Sequence, residues 1–116
     1  MILPDIVSIH RLAEEQAVLS LRVQAGLPAF DGHFPGHPIL PGVVQVDWAL
    51  RLADQIFGLG QQVARDFQVK FRRIIVPESP VTLFLRVDCA RHRLEVEYRV
   101  GDEVASTGRI HLERHP

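Results

Sequence analysis

The sequence predicts an α+β domain in which one long central helix is wrapped by a curved antiparallel β-sheet. Two observations carry this prediction. Residues 43–57 alone have the pattern of a long buried helix, and the sequence after residue 60 consists of strand-like segments separated by short turns. Consecutive strands with short turns pair antiparallel, and an apolar helix beside them gives an α+β architecture. At 116 residues, the chain is predicted to be one domain, residues 1–116.

The helix is predicted over VVQVDWALRLADQIF, from Val43 to about Phe57. It follows a Pro-Gly pair and ends at Gly58, and glycine is a common residue at helix C-termini. Apolar residues surround most of the helix axis, which is typical of a helix buried on several sides. The polar positions on this helix therefore need an explanation, and they are Gln45, Asp47, Arg51, Asp54 and Gln55.

Strand-like segments lie on both sides of the helix in the sequence. IVSIH and AVLSLRV precede it, and FQVKFRRIIV, VTLFLRVDCA, LEVEYRV and VASTGRIHL follow it. These segments are rich in β-branched and aromatic residues and tend to alternate apolar with polar positions, as strands with one buried face do. Residues 26–42, GLPAFDGHFPGHPILPG, contain four Pro and four Gly and are predicted to form a loop. A loop of this length in a small domain is usually functional.

Composition excludes several classes of function. The formal net charge of −1 provides no general basic field for nucleic acid or an anionic membrane. No apolar run approaches the roughly 20 residues that span a bilayer, and the N-terminus lacks a signal-peptide pattern, so a cytoplasmic location is expected. Cys89 is the only cysteine, which excludes an internal disulfide and a cysteine-based zinc site, and it is predicted to be a small buried strand residue.

The segment FDGHFPGHPILPGVVQVDWAL closely resembles the active-site stretch of bacterial 3-hydroxyacyl-acyl-carrier-protein dehydratases of the FabZ and FabA type. The family pattern is GHFPxxPxxPGVxxx followed by an acidic residue, and every fixed position is filled here, with His33 at the histidine and Asp47 at the acidic position. VKFRRIIVPES resembles the family strand after the helix, and PILPGVVQVDWA resembles the ApeI-like dehydratases of aryl polyene pathways. The resemblance covers most of the chain from Phe30 onward and implies the hot-dog fold.

The chemistry of dehydration explains why these residue types are needed. A base must remove a proton from C2 of the 3-hydroxyacyl thioester, and an acid must protonate the departing hydroxyl. His33 suits the first task because imidazole titrates near neutral pH. Asp47 suits the second, either as the acid or by holding the hydroxyl, because a carboxyl on an apolar helix is desolvated and its protonated form is favoured.

The thioester oxygen also needs hydrogen-bond donors as it becomes enolate-like. Gly42 and Val43 lie at the predicted helix N-terminus, where free N–H groups and the helix dipole point outward. The resemblance makes the Gly42 N–H the first choice for this role. No metal or redox cofactor is expected, since the substrate is carried on the phosphopantetheine of acyl carrier protein. His37 lies four residues after His33, but Pro35 and Pro38 preclude the helix that a metal site with this spacing would need.

The resemblance also implies partners. In the family, two hot-dog protomers form one continuous sheet, and each active site takes its histidine from one chain and its acid from the other. A homodimer or a higher oligomer of dimers is therefore expected, with a related hot-dog subunit as another possible partner. The acyl chain is expected in an apolar tunnel, to which Phe34, Ile39 and Phe71 are assigned, and Arg72 and Arg73 are assigned to docking of acyl carrier protein.

Two alternative functions stay open from the sequence. A hot-dog thioesterase would share the fold and the ligand but would release free acid, and it would not need the HFPxxPxxPG loop. A non-catalytic subunit of a mixed dehydratase dimer is the second alternative. Arg51 motivates it, because the familiar enzymes usually have Gln there, and an ion-pair ladder of Asp47, Arg51 and Asp54 would keep Asp47 charged.

Overall fold

A computed structural model of the chain describes residues 3–30, 38–60 and 62–114. It contains one long α-helix, one short 3₁₀ helix and six β-strands. In chain order these are β1 (Asp5–Ala13), β2 (Gln16–Arg22), the 3₁₀ helix (Pro28–Phe30), α1 (Gly42–Phe57), β3 (Gln62–Phe71), β4 (Pro80–Asp88), β5 (Arg93–Val100) and β6 (Glu103–Arg114). In these three ranges, no helix is long and apolar enough to cross a membrane. The predicted combination of one long helix with an antiparallel sheet is confirmed.

All six strands form one antiparallel sheet with the order β1-β2-β4-β5-β6-β3. Strands β4, β5 and β6 pair consecutively, as their short turns predicted. The expectation of consecutive pairing is wrong for β3 and β4, however. Strand β3 pairs with β6 at one edge of the sheet, whereas β4 lies in the interior between β2 and β5.

The segment after β3 explains this difference. The sequence FQVKFRRIIV was predicted to be one strand, but β3 begins earlier, at Gln62, and ends at Phe71. The N–H groups of Arg72 and Arg73 both donate to the Ala105 carbonyl, at 2.8 and 3.0 Å, so the chain leaves the β3–β6 ladder here. Ile75 is then fully buried, which directs the segment across the end of the sheet towards β4.

Helix α1 packs on one face of the sheet. Its observed start at Gly42 lies one residue before the predicted start, and its end at Phe57 agrees with the prediction. Gly58 follows in the left-handed conformation, with φ 66°, and its N–H donates to the Asp54 carbonyl at 2.9 Å. The helix side chains Val44, Trp48, Ala49, Leu52 and Ala53 are buried against apolar strand residues that include Leu19, Leu83, Leu94 and Ile110.

One small prediction about a cysteine is wrong. Cys89 is exposed and lies in the turn after β4, rather than buried on the strand. The reason is local, because β4 ends at Asp88, whose carboxylate accepts the Arg91 N–H at 3.1 Å and so forms the turn.

Candidate active site

Asp47 lies on the face of α1 that the sheet does not cover. Arg51 is one turn further along the same face, and its Nε donates to Oδ2 of Asp47 at 2.9 Å. The Asp47 side chain is 32% exposed and the Arg51 side chain 51%. Asp54 does not continue the predicted ladder, since its Oδ1 accepts the Leu59 N–H at 3.0 Å at the end of the helix.

The exposure and the ion pair of Asp47 differ from the desolvated environment that the sequence predicted. The apolar composition of α1 predicted a desolvated carboxyl, but in the single chain the carboxyl is partly exposed and paired with a guanidinium. Asp47 is placed to accept a hydrogen bond from a substrate hydroxyl, and Arg51 already donates to its Oδ2.

The start of α1 carries backbone N–H groups that the helix itself does not bond. The first helical hydrogen bonds are made by the N–H groups of Val44 and Gln45, which both donate to the Pro41 carbonyl at 3.1 and 3.2 Å. Within the described part of the chain, the N–H groups of Gly42 and Val43 donate to no backbone acceptor, and Pro41 supplies no side-chain cap. Val43 is 69% exposed, so a bound oxyanion could reach this turn.

Phe71 lies directly against this helix start. A Cβ built on Gly42 would overlap the Phe71 ring, so glycine permits the close approach of the ring to the helix backbone. Phe71 is 53% exposed although it is aromatic. The structure therefore brings together a residue assigned to the acyl tunnel and a residue assigned to the oxyanion site. Ile39, also assigned to the tunnel, is half-buried three residues before Gly42.

The catalytic base and one tunnel residue lie outside the described residues. These are His33 and Phe34, and the same holds for His37. Their assignments stay predictions. Within the described ranges, no group of three or more His, Cys, Asp and Glu side chains is placed to hold a metal ion.

The two arginines assigned to carrier-protein docking follow β3 immediately. Both are exposed, and Arg73 forms an ion pair with Glu103. Their backbone N–H groups are bound to Ala105, which fixes them beside Phe71 at the same end of the sheet. Their assignment to docking stays a prediction.

Sequence reasoning missed a buried polar cluster behind the helix start. We call Gln45, Ser106 and Tyr98 the Gln45 cluster; the first two are 3% exposed and Tyr98 is 1% exposed. The Ser106 hydroxyl donates to Oε1 of Gln45 at 2.8 Å, and the Tyr98 hydroxyl donates to the Gln45 backbone carbonyl at 2.6 Å. Burial, and to a smaller extent the charge of Asp47, raise the pKa of Tyr98 above its ordinary value. The only sequence signal was a polar Gln45 on an apolar helix.

Two cavities lie near or across the sheet in the described part of the chain. A cavity of about 10 Å³ lies between α1 and the sheet beside Gln45, which is room for about one water molecule. A larger groove, of about 670 Å³, crosses the sheet from Gln16 to Lys70 and is lined by neither Gly42 nor Asp47. Because the residues predicted to react lie at the helix start, we place the candidate site there and not in the larger groove.

Comparison with known proteins identifies similar dehydratases. A family model described as ApeI-like, ApeI dehydratase, matches residues 9–109. A chain of the dehydratase heterocomplex ApeI:P from Xenorhabdus doucetiae is 32% identical and superposes with a TM-score of 0.91, covering 97% of this chain and 100% of that chain. An uncharacterized protein from Erwinia carotovora is 30% identical, with a TM-score of 0.85 and coverage of 97% and 98%.

Curated dehydratases are also similar. The 3-hydroxyacyl-[acyl-carrier-protein] dehydratase FabZ of Acetivibrio thermocellus is 34% identical in an alignment 107 residues long that covers 83% of this chain and 73% of that protein. FabZ of Thermoanaerobacter sp. strain X514 is 31% identical in an alignment 110 residues long that covers 83% of this chain and 75% of that protein. The fold and the similarity define a FabZ-type dehydratase with the hot-dog fold, as the sequence predicted. Within that class, the chain belongs to the ApeI-like dehydratase family.

Proposed function

We propose that this protein removes water from 3-hydroxyacyl thioesters on acyl carrier protein and forms trans-2-enoyl thioesters, in an aryl polyene or fatty-acid-like pathway. The observation that carries the proposal is the placement of Asp47 one helical turn from Val43, on the exposed face of a helix whose first two N–H groups donate to no backbone acceptor among the described residues. The family membership supplies the reaction class.

Each site residue is proposed to carry out one step of the reaction. His33 takes the C2 proton, and the electron pair moves into the thioester, whose oxygen gains negative charge. The N–H groups of Gly42 and Val43 stabilise that oxygen. The electrons then return to form the C2–C3 double bond, and the C3 hydroxyl leaves as water with a proton that Asp47 supplies or directs. Acid–base groups contribute about 10²–10⁴-fold to a rate, and one oxyanion donor about 10²–10³-fold.

This reaction requires no cofactor beyond the carried substrate. Elimination of water leaves the overall oxidation state unchanged, so no redox partner takes part. The thioester itself acidifies the C2 proton. The phosphopantetheine of acyl carrier protein delivers the acyl chain, and the exposed Arg72 and Arg73 beside Phe71 are the proposed docking point for this acidic partner.

The second partner is another hot-dog subunit. Strand β3 is an edge strand whose free side pairs with no described strand. Its aromatic residues Phe67 and Phe71 lie on one face of the strand and are 52% and 53% exposed, which is unusual for two large apolar side chains on one strand face. We propose that β3 pairs with a second copy of the chain or with a related subunit, and that His33 and Asp47 of one site come from different chains. A cytoplasmic location goes with this pathway.

The test is a mass-spectrometric assay with a 3-hydroxyacyl thioester on acyl carrier protein. The wild type should remove one water, and His33→Ala and Asp47→Asn should each lower the rate by about 10²–10⁴-fold. Free acid as the product would establish a thioesterase instead. If His33 and Asp47 of one site come from different chains, mixing the two inactive variants with subunit exchange should restore about a quarter of the wild-type activity, because half of the dimers then have one intact site.

The ion pair between Arg51 and Asp47 favours one other candidate, a non-catalytic subunit of a mixed dimer. In that case the purified chain would remove no water from aliphatic or aryl substrates and would gain no activity from Arg51→Gln. Light scattering after gel filtration would then give a monomer, or a dimer that is inactive without the related subunit.

A further inference from the structure

The mechanism above leaves the Gln45 cluster without a role. Gln45 and Ser106 are each 3% exposed, and both are polar in the middle of an apolar helix–sheet contact. Burial of an amide costs several kcal/mol unless its polar atoms are bonded. Here they are bonded: Oε1 accepts the Ser106 hydroxyl at 2.8 Å, and Nε2 donates to the Leu40 carbonyl at 3.4 Å.

Simple packing does not require such an arrangement. Val44 and Val46, the neighbours of Gln45 on α1, are buried through apolar contacts alone. Apolar contacts tolerate sliding and rotation, whereas hydrogen bonds depend steeply on distance and angle. The Gln45 cluster therefore fixes the rotation and the height of α1 relative to β6 more closely than an apolar side chain would.

The part of the helix held in this way is the part that carries the donors. Gln45 is in the first turn of α1, and Leu40 lies just before that turn, so the side chain connects the helix to the segment that enters it. Ser106 holds the other side. It lies opposite Phe71 in the β3–β6 ladder, and the Phe71 ring lies against Gly42. One position of β6 thus supports both sides of the helix start.

We propose that Gln45 is a positioning residue of the dehydratase site. Its bonds to Ser106 and Leu40 hold the first turn of α1 so that the N–H groups of Gly42 and Val43 point at the thioester oxygen. The inference rests on the proposed function for the identity of the ligand, whereas the orientation of the two N–H groups is a property of the chain alone. A displacement of about 1 Å in such a group lowers a rate by about 10²-fold.

The test uses the double variant Gln45→Met/Ser106→Ala, which replaces both bonded partners with apolar groups of similar or smaller size. Replacing both partners of a buried hydrogen bond is close to neutral for stability, so the melting temperature should stay within about 5 °C of wild type. We expect kcat to fall about 10–100-fold and KM to change less than about threefold, because donors to the developing oxyanion act in the transition state. The single variant Ser106→Thr keeps both Gln45 and a hydroxyl at position 106, so it should retain most of the wild-type kcat.

Leu94→Val is the matched control. Leu94 is fully buried on β5 and lies opposite Ile110, four positions along β6 from Ser106, so this variant should lower the melting temperature and leave kcat unchanged. Wild-type kcat in the double variant, at a wild-type melting temperature, would overturn the proposal. If the double variant does not fold, Ser106→Ala alone provides the same comparison, since it removes the hydroxyl donor and leaves Gln45 in place.

A second measurement separates this inference from the proposed function. Residual dipolar couplings of the Gly42 and Val43 N–H vectors, in wild type and in the double variant, report their orientation without any reaction. A reorientation of these vectors with the rest of the sheet unchanged supports the positioning role. Unchanged vectors overturn it. If the wild type removes no water from any substrate, the proposed function fails while the couplings still decide the role of Gln45.

Discussion

The exposed face of α1 carries Asp47 and Arg51, which form an ion pair and contact solvent. The opposite face, one or two residues away in the sequence, carries Gln45 and Trp48, which are buried against the sheet. The exposed pair is available to a ligand and contributes little to stability, since partly exposed ion pairs are worth about 0–1 kcal/mol. Gln45 and Trp48 instead hold the helix against the sheet through buried contacts. Groups available to a ligand and groups that pack the helix therefore lie on different faces of one element.

Substitution of adjacent residues is the strongest test of this division. Trp48 is fully buried, and Trp48→Ala should lower the free energy of unfolding by about 3–5 kcal/mol through lost packing. Asp47→Asn, one position earlier, should change it by less than about 1 kcal/mol and lower kcat by about 10²–10⁴-fold. Urea unfolding and the dehydration assay measure the two quantities. A large stability loss in Asp47→Asn would contradict the division.

The glycines at the two ends of α1 provide the next comparison. Gly42→Ala would place a methyl group against the Phe71 ring beside the oxyanion donors, so kcat should fall at least about tenfold. The half-exposed ring can move aside, and stability should change by less than about 1 kcal/mol. Gly58→Ala is the control, because φ 66° at Gly58 makes alanine strained there. It should cost about 1 kcal/mol of stability at unchanged kcat. The reverse pattern would argue against a catalytic helix start.

The pH dependence of stability tests the burial of Tyr98 on the buried face. Burial raises the pKa of Tyr98, so its contribution to stability is fully present below the ordinary tyrosine pKa of about 10 and is lost as the pH rises above it. Above that pH, the free energy of unfolding should fall by at most about 1.4 kcal/mol per pH unit through this one group. Because Tyr98 is the only tyrosine in the sequence, absorbance near the phenolate band follows it directly. We expect ionisation to coincide with unfolding; ionisation in the folded protein would contradict the burial.

Substitution of Arg51 on the exposed face is expected to have the smallest effect on kcat. Arg51→Gln frees the Asp47 carboxyl from its guanidinium, so kcat should rise about two- to fivefold, with less than about 0.5 kcal/mol lost in stability. Arg86→Gln is the matched control, because it removes a 2.7 Å ion pair with Glu95 on β4 and β5, away from α1. It should leave kcat unchanged. A fall in kcat for Arg51→Gln would make Arg51 part of the catalytic group.

The bounds of α1 and its burial were predictable from apolar periodicity and flanking Pro and Gly, and the polar contacts of its buried face were not. Asp47 and Gly42 were assigned from the resemblance of their segment to the dehydratase motif, and their roles stay predictions. The partners of Gln45 were not found because Ser106 is 61 positions away in the sequence. Only the register of the β5–β6 and β3–β6 ladders brings it beneath the helix, and no local pattern encodes that register.

The same limit explains the errors in the sheet. Alternation identified the strands but could not say which strands are neighbours, so β3 was expected beside β4. Residues 72–76 were expected to be strand because three of them are apolar and β-branched, whereas Ile75 is buried within the segment that connects β3 to β4. His33 is a prediction from the motif alone, since it lies outside the described residues.

The pairing of β2 with β4 also determines how the chain can fold. Ala17 lies opposite Leu85, so α1 and β3 must both be accommodated before this ladder closes, whereas β4, β5 and β6 are joined by short turns. Closing long loops is slow compared with forming hairpins. We expect the C-terminal strands β4, β5 and β6 to pair first and the N-terminal strands β1 and β2 to join the sheet last. Until then β4 has an open edge, and nascent chains would be most prone to aggregation at that strand.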